Sequence, residues 1–245
     1  MTQNTDADDA LVASLVAQLR TARQAERDLF GGLDPTLRDL PMRPGNWSPK
    51  DHQAHLTAWK DRQAARIRAV REGQQFPTDD REDDVINAEL QSARADWAWE
   101  EVVAEADEVS ARLESEVRAA GSGLRQFESG RLVSGIFGNG PFHAATHFGW
   151  LVEGDVGFDA IAVEAFLDAE AQLLDTTALS DADRGTGVYN LACAHALAGR
   201  LDQARPLLRD AFRLRPDLAE FAKEDPDLVA LREELAGLAA RPSSA

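Results

Sequence analysis

The sequence holds one cysteine, Cys193, so no internal disulfide can form and a reducing compartment suits the chain. No apolar run approaches the roughly 20 residues that a bilayer span needs. Positive charge is scarce: 26 Lys and Arg stand against 43 Asp and Glu, a formal net charge of -17. A chain so acidic repels phosphate backbones and anionic lipid, because the attraction that drives such binding has the wrong sign. Nucleic acid and membrane are therefore not expected partners. Residues Met1 to Ala10 lack the basic start and apolar run of a secretory signal, and the expected location is the cytoplasm. Alternating β-branched runs are missing, as are a Gly-x-Ser-x-Gly elbow and a phosphate loop. These absences leave an all-α chain with neither nucleophile-elbow nor phosphate-loop chemistry.

Hydrophobic residues make up 44% of the chain, enough for a packed core, and they recur at helical spacing almost throughout. Leu11, Leu15, Leu19, Ala22 and Phe30 mark a first helix over about Asp9 to Phe30, broken by Gly31-Gly32 and by Pro35 to Pro44. Ser48-Pro49-Lys50-Asp51 is the clearest helix start, with Ser48 as cap, Pro49 in the first turn and Asp51 closing a capping box. That helix should run through Trp59 and Ile67 to Arg71 and stop near Gly73. Gln74 to Asp84 reads as a solvated acidic crossover loop, with a substrate-facing role for Asp83 or Asp84 as the alternative. A helical pattern follows from about Val85 to Ala120, with an interruption near Trp97. The glycines from Gly121 to Gly140 predict a loop-rich region, with Gly135 to Gly140 a flexible turn. A fourth long helix is expected from near Pro141 to around Gly154. Four long helices with two longer connections predict a four-helix bundle. Composition changes after Gly157, so the expected division lies near Asp155: a bundle over 1–155 and a second helical part over 156–245.

Of the five histidines, His143 and His147 stand four apart on one expected helix and so project from the same face. Both rings can reach one metal ion, whose nitrogen ligands lie about 2.0–2.1 Å away. A third ligand must come from another helix, and His55 is the candidate. His52, one turn earlier, competes with it or stands behind it. Three nitrogens with an open fourth position suit a catalytic ion that activates water or a thiol. The plain alternative is that the spacing arises by chance, the rings being surface or hydrogen-bonded core residues.

The segment Trp47-Ser48-Pro49-Lys50-Asp51-His52-Gln53-Ala54-His55-Leu56-Thr57-Ala58-Trp59 resembles the second-helix signature of the DinB/YfiT superfamily. His143-Ala144-Ala145-Thr146-His147 resembles the last-helix His-x-x-x-His of the same superfamily, and the likeness covers roughly residues 8 to 155. It implies a four-helix bundle with nickel or zinc on three histidines, here His55, His143 and His147. It also implies thiol-dependent transfer or isomerisation with a low-molecular-weight thiol, or neutralisation of a reactive small molecule. Gly73 through Asp84 and Asn87-Ala88-Glu89 are similar to the ClbS/DfsB-like branch, whose members do not all keep the metal histidines.

Trp59 and Trp150 fall near the ligand face, where core packing is the first reading and lining a pocket the second. Asn46 and Trp47 precede the helix and are candidates for the pocket mouth. Cys193, among Leu191, Ala192 and Ala194, reads as a buried small hydrophobe. Val188 to Pro216 resembles one tetratricopeptide repeat, with Leu191, Ala192, His195, Gly199, Ala204, Leu208, Ala211 and Pro216 at its marked positions. His195 is then a packing residue, and Pro206 is expected within a helix's first turn. Weaker helical stretches, about Phe158 to Leu174 and Asp227 to Leu238, flank the repeat, and Arg241 to Ala245 is expected to fray. One repeat is too short to stack alone, so these helices should cap one another and dock on the bundle. Two functions are expected: a metal-dependent enzyme acting on a small molecule, or a non-catalytic binder whose repeat-like part contacts a protein. Pairing into a homodimer is a further expectation, because bundles with an apolar outer face commonly associate.

Overall fold

Helix ends lie where local chemistry marks them. The structure, a computed structural model, describes residues 2–41, 47–153, 157–175 and 178–240. Asn46, the expected boundary at Asp155 and the tail 241–245 lie outside the described residues. Helix α1 (Thr2–Gly31) buries Leu11, Leu15, Leu29 and Phe30. Helix α2 (Pro49–Arg71) starts from a complete capping box. Ser48 Oγ accepts the Asp51 backbone N–H at 3.2 Å, and Asp51 Oδ2 accepts the Ser48 N–H at 2.8 Å. Pro49 takes the first helical position, where its missing donor has no partner to lose. The helix stops before Gly73, whose φ of +70° places it in the left-handed region.

Helix α3 (Asp83–Ser92) carries Asp83 and Asp84 in its first turn, where acids offset the positive helix end. The crossover loop therefore closes at residue 82. Helix α4 (Trp99–Ala120) follows a break around Trp97, so the long pattern from Val85 is two helices.

The glycine-punctuated stretch is helical instead of loop-rich, which corrects the expectation of a flexible turn. It forms α5 (Gly123–Gln126), a 3-10 turn at Phe127–Gly130 and α6 (Arg131–Gly138). Leu132, Val133, Ile136 and Phe137 are all buried on one face of α6, and that burial outweighs the glycines' weak propensity. A Cβ on Gly135 would come within 2.6 Å of the Gln63 side-chain amide, which would have to shift to admit it. Helix α7 (Pro141–Glu153) is the last long bundle helix.

The C-terminal part comprises α8 (Ala160–Leu174), α9 (Asp181–Leu197), α10 (Leu201–Leu214), α11 (Leu218–Phe221), a 3-10 segment Pro226–Leu231 and α12 (Leu235–Ala239). The second flanking stretch, expected as one helix from Asp227 to Leu238, is thus two short pieces. Helices α9 and α10 form a hairpin turned at Gly199, whose φ is +71°. Leu191, Ala192, Ala204, Leu208 and Ala211 are buried in it. Pro206 is the sixth residue of α10, not part of its first turn; the helix continues through it, held by its buried face. Helix α8 packs on α1 and α7, and α9 packs along α7. Phe148 on α7 meets Phe30 on α1 at 4.8 Å and Phe166 on α8 at 5.1 Å between ring centroids. A Cβ on Gly149 would stand 3.1 Å from Ala194 Cα, so glycine lets α7 and α9 approach closely. One apolar core therefore runs from the bundle into the C-terminal helices. No strand occurs among the described residues, and none of their helices is long and apolar enough to cross a membrane.

Candidate metal centre

Helix α2 presents His52 and His55 one turn apart, both placed by the Ser48 cap, and α7 presents His143 and His147. The bundle brings these two faces together. His55 Nε2 lies 3.1 Å from His143 Nε2, and His147 Nε2 lies 3.0 Å from the same atom. Ring nitrogens of His55, His143 and His147 all fall within 4.8 Å of one another, and no other such group occurs among the described residues. His55 is 4% and His147 5% exposed.

Burial sets the charge state of these rings. It lowers His55 to a pKa of about 2, helped by the neighbouring His143 and His52. Burial likewise takes His143 and His52 down to about 4 and His147 well below its ordinary value. All four rings are neutral near pH 7, the form that binds metal.

The residues fit an ion on the chemistry of the donors. A neutral imidazole has one N–H, so three Nε2 atoms this close either contest hydrogen bonds or point lone pairs at one place. A cation there relieves that repulsion. Tetrahedral bonds of 2.0–2.1 Å separate nitrogen ligands by roughly 3.3 Å, near the separations seen. Lone pairs on Nε2 put the protons on Nδ1. His147 Nδ1 lies 2.7 Å from His52 Nδ1 and can donate to it, whereas Nδ1 of His55 and of His143 are buried without a partner among the described residues. His52 thus stands behind His147 and outside the trio.

Around the histidines opens a cavity of about 640 Å³. Trp47 covers the rings, stacked on His147 at 5.9 Å and lying 4.8 Å from His55. Trp59 and Trp150 also line the cavity, which corrects the first reading of both as core packing. Each is half-buried with its polar edge bonded: Trp59 Nε1 donates to Asn87 Oδ1 at 3.1 Å, and Trp150 Nε1 donates to Asp227 Oδ1 at 3.1 Å. Asp83 and Asp84 border the mouth from α3 while remaining exposed, and among the described residues no Lys or Arg lines the wall.

Asn87, Gln91 and Asn139 also line the cavity and were not marked as site residues by the sequence. Asn87 stood within the motif Asn87-Ala88-Glu89; Gln91, one turn on along α3, was the available signal. His195 is buried in α9, outside the trio, and burial lowers its pKa. Cys193 is buried as expected, and burial with the nearby Asp225 carboxylate pushes its thiol pKa well up, away from thiolate chemistry.

An all-helical bundle enclosing three converging imidazoles under a tryptophan-walled cavity defines the class. The DinB superfamily model matches residues 18–151, a little over half of the chain, and the chain belongs to that superfamily. No curated protein and no solved structure matches it.

Proposed function

We propose that the chain is a metal-dependent enzyme acting on a small reactive molecule by thiol transfer, isomerisation or hydrolysis. His55, His143 and His147 would hold a divalent ion, nickel or zinc. The observation that carries this reading is the meeting of three neutral imidazoles, buried at His55 and His147 and half-buried at His143, on the floor of a cavity. A bound ion would supply Lewis-acid chemistry, acidifying a water or a low-molecular-weight thiol near neutral pH. The chain's own residues do the rest. His52 accepts the Nδ1 proton of His147 and holds that ring's orientation. Trp47, Trp59 and Trp150 exclude bulk water from the floor and offer flat apolar walls to a ligand. Asp83 and Asp84 place negative charge at the mouth and disfavour anionic substrates there. The motif on α3 supports membership of the ClbS/DfsB-like branch, in which reactive small molecules are neutralised.

The rival reading is a non-catalytic binder with a tetratricopeptide-like adaptor in α9–α10. The packing of α8 and α9 against α1 and α7 favours a bracing role for these helices over an adaptor's free face.

Metal analysis of the purified full-length chain separates the two. About one ion per chain is expected, falling to roughly a tenth in His55→Ala and His143→Ala, because each removes one of three ligands. A native protein without stoichiometric metal would leave the adaptor reading standing.

A further inference from the structure

One wall of the cavity is held from outside the family-matched segment. Trp150 lies within the matched residues, while its acceptor Asp227 lies in the C-terminal 3-10 segment. The indole N–H is shared between Asp227 Oδ1 at 3.1 Å and Oδ2 at 3.2 Å. Indole has this single donor, so the carboxylate decides which way the polar edge of the ring faces. On its other side the Trp150 ring packs on His147, with centroids 4.7 Å apart and planes at 65°, and it borders His52 at 6.3 Å.

Asp227 is itself firmly placed. Its backbone N–H donates to Asp225 Oδ1 at 2.9 Å, and Asp225 is buried and accepts the Tyr189 hydroxyl at 2.6 Å. Tyr189 belongs to α9, which packs along α7, the helix that bears Trp150 and His147. The chain of contacts therefore closes on itself: α7, α9, Asp225, Asp227, and back to α7 through Trp150.

We infer that Asp227 is a positioning residue of the histidine cavity, fixing the indole of Trp150 and, through it, the ring of His147. The site is then built by both parts of the chain, and the C-terminal helices complete its wall.

The test uses the full-length chain and two readouts. Near-UV circular dichroism of the metal-free protein identifies the Trp150 band as the one Trp150→Phe removes. Asp227→Ala should abolish that band, while Asp227→Asn, which keeps an oxygen acceptor, should retain it. An unchanged band in Asp227→Ala, or loss in Asn equal to that in Ala, overturns the inference. Should Asp227→Ala not fold, Asp227→Glu, whose acceptor is displaced by a methylene, is read on the same band.

The second readout is cobalt(II) titration, which rests on the metal reading above. Asp227→Ala and Trp150→Phe should each weaken cobalt binding by about tenfold and shift its visible bands. The double variant should add nothing to either, because both break one linkage. Additive losses, or a lowered melting temperature with unaltered cobalt spectrum and affinity, overturn the inference. A wild-type chain that takes up no cobalt sinks the metal reading alone, and the indole band still decides the role of Asp227.

Discussion

Ser48 shows how much one side chain can govern. Its hydroxyl and the Asp51 carboxylate start α2, and His52 and His55 stand on the next two turns. Ser48→Ala should cost about 1 kcal/mol, the usual worth of an N-cap, measured by urea unfolding. The same variant should weaken metal uptake more than a cap lost elsewhere, because the fraying end carries His52, which backs His147, and leads into the turn that bears His55. At this scale the sequence was most readable where the chemistry is local. The capping box and the four-residue separation of His143 and His147 need nothing beyond helix geometry. Asp227 was invisible because nothing within its own segment refers to Trp150. The hydrogen bond between them exists only once α9 has packed on α7. Trp59 was misread for the same reason: periodicity places a side chain on a face but does not say whether another helix fills the space before it.

The helices differ in how closely they tolerate one another, and glycines record this. A Cβ on Gly187 would stand 2.5 Å from Phe142 Cζ and from Leu174 Cδ2, three helices meeting at one point. Gly187→Ala should therefore destabilise by about 1–3 kcal/mol through overpacking. Gly237 in α12 has nothing within 4 Å of such a Cβ, and Gly237→Ala should be neutral or stabilise by up to about 1 kcal/mol through helix propensity. A thermal melt of the two variants side by side checks the contrast; equal effects would mean that the α7–α9 contact is looser than described. Glycine misled the sequence reading of α6 because a breaker's cost is small beside the burial of Leu132, Val133, Ile136 and Phe137. The breaks at Gly73 and Gly199 were legible because there the backbone itself adopts positive φ, and no burial overrides it.

For the molecule as a whole, all five histidines are held below their ordinary pKa by burial. The unfolded chain protonates them near pH 6.5, whereas the folded chain resists until about pH 4 at His52 and His143. Their contribution is complete above pH 6.5 and is lost as the pH falls through that range, at up to about 1.4 kcal/mol per pH unit for each ring. Glu170 opposes this. Its fully buried carboxyl is raised well above 4.5, first by burial and then by the nearby Glu26, so its share is complete below pH 4.5 and is lost as the pH rises. One group against five leaves the histidines dominant. Metal-free protein should lose stability from pH 7 to pH 5, with a denaturation midpoint that falls steadily. Saturating zinc should raise the midpoint at pH 7 and steepen its fall with acid, since protons and metal compete for the same nitrogens. A midpoint flat across this range would show that the rings are more solvated than their burial implies.

The close approach of α9 to α7 also bears on descent. A related chain that consisted of the bundle alone would show water the surface that Gly149 and Phe142 here turn toward α9. Such a chain would be free to carry a larger residue in place of Gly149 and would favour a polar one in place of Phe142. Relatives that share the C-terminal helices should keep the first small and the second apolar. A segment packed this closely leaves its imprint on the residues it covers, readable from the bundle alone.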